Sequence, residues 1–217
     1  QEMIKEGIVL NPALDSYAKN DRSLDQVLID VALEKRNQIA EAYQRLDKNI
    51  NPLLLIQLPN DTSEDTSVED KKIIELVTLH LENYCGISTQ NGRLAVWLSK
   101  QKENLENIEE YDNGVEVLLF KQAIALGWDC PRAAVLLIFR ELHSQQFTIQ
   151  TVGRILRMPE EQHYPESLLN QGYVYTNLSK SQIEVVQDDM SYITTNKAVR
   201  RQDYAAANLT STYYNTR

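Results

Sequence analysis

The sequence predicts an α/β fold: a parallel sheet with helices covering its faces. Three observations carry that prediction. Several short runs are apolar throughout and lack the alternation of a half-exposed strand. Pro, Asn or Gly bracket several of them. Segments of helical periodicity alternate with them, which is the pattern of strands joined by helical crossovers.

Taken in order, residues 1–20 read as an irregular or extended lead-in. "SLDQVLIDVALEKRNQIAEAYQRLD" (23–47) follows, with Ser23 as N-cap and Leu24, Val27, Leu28, Val31, Ile39, Tyr43 and Leu46 at helical spacing. It predicts a long amphipathic packing helix. "NPLLLIQLPN" (51–60) predicts a strand buried on both faces. The acidic, Ser/Thr-rich "DTSEDTSVED" predicts a solvated loop, and a helix is expected over 70–84. "RLAVWLS" (93–99) predicts a second strand. "QKENLENIEEYDNG" is read as an acidic connection with some helical character. "VEVLLF" (115–120) and "AAVLLIF" (133–139) predict two more buried strands. "YPESLLNQGYVYTNLS" reads as a loop or hairpin ending in an alternating strand at 173–178. The expected division is 1–50 as lead-in and long helix, 51–160 as the sheet domain, and 161–217 as a C-terminal extension with hairpin and tail.

Composition narrows the class. In 217 residues, 42% are hydrophobic and 24% charged, ordinary values for a globular chain. No apolar run approaches the roughly 20 residues of a membrane-spanning helix. The start has no apolar signal segment, so a cytoplasmic location and no membrane partner are expected. The chain begins with Gln1 rather than Met, and we read it as a piece of a longer protein. Two cysteines and three histidines show no metal-ligand spacing, so no metal site is expected, and both thiols are read as reduced. Net charge is −9, which argues against a protein that simply coats DNA. Within 117–157, five basic residues face two acidic ones, a local excess of +3 that leaves −12 for the remainder.

The most informative stretch is "FTIQTVGRILRMPE" (147–160). On a helix Gln150, Arg154 and Arg157 fall at i, i+4 and i+7 and share one stripe, with Ile149, Val152 and Leu156 roughly opposite. One face is then core, and the other carries two guanidiniums beside an amide. Upstream, "FKQAIALGWDCPRAAVLLIFRE" places Gly127, Trp128 and Asp129 in a turn between a short helix and a strand.

Together these two segments resemble motifs V and VI of superfamily 2 helicases. "GWDCPRA", "QTVGRILRMPE" and "YVYTNL" resemble in particular the Res subunit of type III restriction endonucleases, over roughly residues 5–190. "NPLLLIQLPN" and "LAVWLSKQKENLE" fit that family too. The resemblance implies the second RecA-like domain of an ATP-driven DNA motor. The first RecA-like domain would carry the phosphate loop and the Mg2+-binding acidic box; this sequence has neither motif, nor an evident nuclease set.

On that resemblance Arg157 is the arginine finger for ATP held by the other domain. Arg154 is its neighbour on the phosphates, and Gln150 orients the cluster or the attacking water. An always-charged planar fork suits the charge that spreads over phosphate oxygens during transfer. Asp129 is implied as the acceptor for ribose hydroxyls, with the Gly127 backbone close by. Gly153 would allow close backbone approach. Arg132 is left open between a phosphate contact and a carboxylate pair. Trp128 is read as core or domain-face packing, and Cys130 as a small buried hydrophobe.

DNA-backbone contacts are expected at the carboxyl ends of the strands, where ligands gather in such sheets. The candidates are Asn60, Lys100, Lys121 and Gln122; "KAVRRQ" (197–202) is assigned either to DNA or to a sibling domain. The implied partners are DNA, the first RecA-like domain and a modification methyltransferase subunit, with ATP and Mg2+ as cofactors. Alone, the chain is expected to have negligible ATPase. Two alternatives stay open: another superfamily 2 helicase, or a non-catalytic module that keeps the fold and binds a partner protein.

Overall fold

Among the described residues, seven strands form one sheet in the order β1-β7-β6-β2-β5-β3-β4. The computed structural model describes residues 3–12, 23–58, 68–98, 100–121, 128–139 and 152–176, with backbone alone for 68–71. The strands are β1 (Gly7–Leu10), β2 (Leu53–Gln57), β3 (Leu94–Trp97), β4 (Lys102–Glu103), β5 (Val117–Phe120), β6 (Ala133–Ile138) and β7 (Gln171–Thr176). Each neighbouring pair is parallel except β3 with β4. Among the described residues the long α-helices are α1 (Leu24–Arg45) and α2 (Val68–Cys85). This is the α/β architecture that the sequence predicts. Among the described residues, no helix is long and apolar enough to cross a membrane.

The all-apolar runs become central strands because both sides of each are covered. Every residue of β2, β5 and β6 is buried. Leu55 lies opposite Leu118 of β5 and Leu136 of β6. Two apolar layers sandwich the sheet. One joins Leu54, Ile56, Val117, Leu119 and Leu137 to α1 and α2. The other joins Leu53, Leu55, Leu118, Phe120, Leu136 and Ile138 to Ile108, Cys130, Val152 and Ile155.

α1 starts at the expected cap. The Ser23 hydroxyl accepts from the Gln26 amide, and the Gln26 side chain accepts from the Ser23 amide, both at 3.3 Å. This reciprocal box satisfies two amides that a helix start leaves orphaned. Arg45 lies in the last turn, where cations oppose the helix dipole. Of the residues on the expected apolar stripe, Leu24 is exposed, because the first turn overhangs the layer that Val27, Leu28 and Val31 enter.

Three segments depart from the sequence reading. β1 comes from the lead-in, and the segment read as an extension supplies β7; both belong to the same sheet. β7 runs parallel between β1 and β6 instead of closing a hairpin, and five of its six residues are buried rather than alternating. The connection after β3 is not helical. It makes the two-residue β4, then turns in which Asn104 and Asn107 take left-handed φ of 55° and 52°. Asparagine tolerates that region, and its amide can replace backbone partners. The Asn104 amide donates to the Thr89 and Leu94 carbonyls at 2.8 Å each.

The segment leading to β7 is pinned to the end of α1. Arg45 pairs with Glu166 at 2.6 Å, Lys48 with Glu160 at 2.7 Å, and the Tyr164 ring meets Tyr43 edge-on at 5.4 Å. The tail at 181–217 lies outside the described residues.

Candidate functional site

The turn before β6 divides its work between interior and surface. The Ala133 amide donates to the Cys130 carbonyl at 2.9 Å, closing the turn around Pro131. Cys130 is buried and packs as the small hydrophobe expected of it; burial pushes its thiol up to about 11. Arg132 settles the question left open by the sequence. Its side chain is buried, and among the described residues its hydrogen bonds go to carbonyls and the Asn113 amide oxygen, not to a carboxylate. It donates to the carbonyls of Ile108 (2.8 Å), Asn51 (2.7 Å) and Val115 (2.9 Å). These are loop carbonyls at the amino ends of neighbouring strands, and only a multiply donating cation can satisfy three of them at once. Desolvation lowers the Arg132 pKa.

Within the described residues the second segment leaves the helix after Arg154. Residues 152–154 form a helical turn, 155–156 a plain turn, and Arg157 a β-bridge with Ile4. Arg157 therefore faces the site from extended backbone, not from the helix that its stripe spacing predicts. The apolar half holds, since Val152, Ile155 and Leu156 are buried.

A neighbour explains the tight seating of this turn. A Cβ on Gly172 of β7 would meet Ile155 Cδ1 at 3.1 Å and the Ile155 carbonyl oxygen at 3.3 Å. Sequence reasoning missed Gly172. Its only signal was a glycine inside a strand, which often marks close approach by another element.

The two segments meet at their polar ends. Arg157 Nη1 lies 2.6 Å from Asp129 Oδ2, with side-chain exposures of 59% and 42%. Arg154 donates to the Trp128 carbonyl and holds its guanidinium carbon 5.8 Å from the centre of the Trp128 ring. Trp128 also donates from its indole to Glu109 at 3.0 Å and meets Trp97 edge-on. It is thus a half-buried platform beneath Arg154, in keeping with a packing role.

Desolvation lowers the Arg154 pKa first, Asp129 opposes that, and Arg157 adds to it. Two guanidiniums thus lie beside the Asp129 carboxylate. An exposed pair of this kind is worth about 0–1 kcal/mol, so an incoming anion can displace Asp129 at small cost.

Other expected residues are less informative. Among the described residues, a Cβ on Gly153 would meet nothing within 4 Å. Lys100 and Lys121 follow β3 and β5, at the carboxyl side of the sheet; the first is exposed and the second half-buried. Asp129 precedes β6, on the amino side, so the two candidate groups flank opposite ends of the strands. Gln150, Gly127, Asn60 and Gln122 lie outside the described residues. An open depression of about 630 Å³ beside Pro131 is lined by Asn49, Glu109, Glu110, Tyr111 and Asp112. Its lining carries three carboxylates, which repel phosphate.

No protein-family model matches the chain, and no curated protein matches it. Solved structures do. The second domain of the DEAD-box helicase Mss116p, bound to an RNA duplex, is 11% identical with a TM-score of 0.41, over 85% of this chain and 58% of that one. The ATP-dependent Type ISP restriction-modification enzyme LlaBIII, bound to DNA, is 13% identical with a TM-score of 0.43, over 88% and 14%. The C-terminal part of the Fun30 ATPase domain is 15% identical with a TM-score of 0.36, over 85% and 66%. The chain thus spans a little over half of the first of these and one-seventh of the second. At these scores the likeness transfers no residue role to this chain.

Proposed function

We propose that this chain is the second RecA-like domain of a superfamily 2 nucleic-acid motor, of the type III restriction Res kind, and that its cationic cluster serves ATP held by a first RecA-like domain. The observation that carries the reading is the meeting of the two motif-like segments. Asp129 from one and Arg157 from the other touch at 2.6 Å, on an exposed surface, with Arg154 alongside. These segments lie 28 residues apart, and the fold brings together the polar ends that the resemblance requires to act as a unit.

In this reading Arg157 exchanges Asp129 for the γ-phosphate when the first domain docks. It then stabilises the charge that develops on the transferred group. Asp129, released, is the acceptor for the ribose hydroxyls. Arg154 stays over Trp128 and adds positive charge beside the phosphates. Mg2+ belongs to the first domain's acidic box, and no metal step is assigned to this chain. DNA contacts fall to Lys100 and Lys121 at the opposite edge, together with Asn60 and Gln122, and a modification methyltransferase subunit selects the site.

The test is Arg157→Ala in the protein carrying both motor domains. Loss of DNA-stimulated ATPase with unchanged folding supports the finger; undiminished turnover overturns it. The self-paired state of Arg157 also favours a second reading, a non-catalytic module in which the pair merely closes the surface. Failure of the two-domain protein to bind nucleotide would select that module.

A further inference from the structure

We propose that Asp30, His80 and Cys85 form a binding site for a zinc-class divalent cation, which clasps α1 to the end of α2. The three side chains come from two helices and from positions up to 55 apart in sequence, which is why no ligand spacing is visible in the chain. One ligand atom from each lies within 4.8 Å of the other two. His80 Nε2 is 2.6 Å from Asp30 Oδ1.

The donor set is chemically apt. Thiolate, imidazole and carboxylate are the three ligand types zinc takes, at bond lengths of about 2.0–2.3 Å. Tetrahedral geometry at those lengths puts ligand atoms about 3.3–3.8 Å apart. A spread within 4.8 Å therefore closes by a movement on the order of 1 Å, and Cys85, the last residue of α2, sits where the helix end can yield. Three protein ligands leave the fourth position for water or another donor.

His80 supplies a second, independent observation. The residue is 4% exposed, and among the described residues its Nδ1 is buried without a hydrogen-bond partner. Nε2 is the nitrogen that faces Asp30, so a cation between them would bind Nε2 and the Asp30 oxygen in place of their direct contact. Asp30 keeps partial contact with solvent, and Tyr84 stacks on the imidazole with ring centres 5.1 Å apart. The site thus has a buried nitrogen, a charged oxygen with a path to water, and an aromatic wall.

The experiment titrates Co2+, then Zn2+, into the full 217-residue chain, with circular dichroism as a check on folding. One equivalent of Co2+ is expected to give a thiolate-to-cobalt charge-transfer absorption with the visible bands of a tetrahedral site. That signal should vanish in Cys85→Ser and persist in Cys130→Ala, whose sulfur is buried elsewhere. Asp30→Asn, nearly isosteric, should weaken binding about tenfold or more and keeps the test usable if His80→Gln does not fold. Zn2+ should raise the Tm of the parent chain and not that of Cys85→Ser. Absence of the charge-transfer band in the folded parent chain, or its survival in Cys85→Ser, overturns the proposal.

Discussion

Arg132 and Arg157 belong to the same corner of the molecule and are held in opposite ways. Arg132 is buried and spends its donors on three backbone carbonyls. Arg157 is more than half exposed and leans on one carboxylate. A guanidinium surrounded by fixed carbonyls cannot leave without orphaning them, so its role is confined to the fold. One paired with a single solvated carboxylate can change partners. Arg36 follows the first pattern: buried on α1, it donates to the Pro52 carbonyl at 2.9 Å and lies 3.4 Å from Glu116. Arginines fixed into the fold and arginines able to change partner are thus told apart by the number and rigidity of their acceptors, not by sequence position.

That contrast can be broken at four points, taken from the largest expected effect. Arg157→Ala in the two-domain motor should lower DNA-stimulated ATPase by about 10³–10⁵ while leaving the melting transition in place. A comparable loss of stability would erase the distinction. Arg132→Met should cost about 3–5 kcal/mol in chemical denaturation, because three buried carbonyls lose their donor. A change within 0.5 kcal/mol, the usual range for surface sites, would show that those bonds are replaced by water. Gly172→Ala should destabilise by about 1–3 kcal/mol, since a Cβ there drives into Ile155 and lifts the turn that carries Arg154. An unchanged transition would mean the turn gives way freely. The smallest effect is expected from a double-mutant cycle on Asp129→Asn and Arg157→Gln: a coupling of about 0–1 kcal/mol. A coupling of several kcal/mol would make this surface pair a structural bond.

How much of this was legible in the chain depended on whether a signal was local. The strands at Leu53, Leu94, Val117 and Ala133 were readable because continuous apolar runs have one stable destination, a sheet covered on both sides. The cap at Ser23 was readable because it is written within four residues. β1 was not, since Gly7–Leu10 becomes a strand only by lying along β7, 164 residues later. The fate of Arg132 was equally hidden, because its acceptors are carbonyls from two distant loops. The helical stripe misled at Arg157, where the bridge to Ile4 overrides local periodicity. The cluster of Asp30, His80 and Cys85 is non-local in the same sense: each residue is ordinary until α1 and α2 pack.

Arg157 is moored from the far end of the chain. The Lys5 amide donates to the Leu156 carbonyl at 2.7 Å, and the Met158 amide to that of Met3 at 3.0 Å. A protein engineered to begin after Leu10 would lose both moorings and leave the guanidinium to swing, although nothing near it had been mutated. The Lys5 amine lies buried beneath this knot, 3.3 Å from the Ala133 carbonyl, and desolvation lowers its pKa from 10.5 to about 7. Between those two values the unfolded chain still binds a proton that the folded chain has released, so alkalinity draws the knot tighter and acid slackens it.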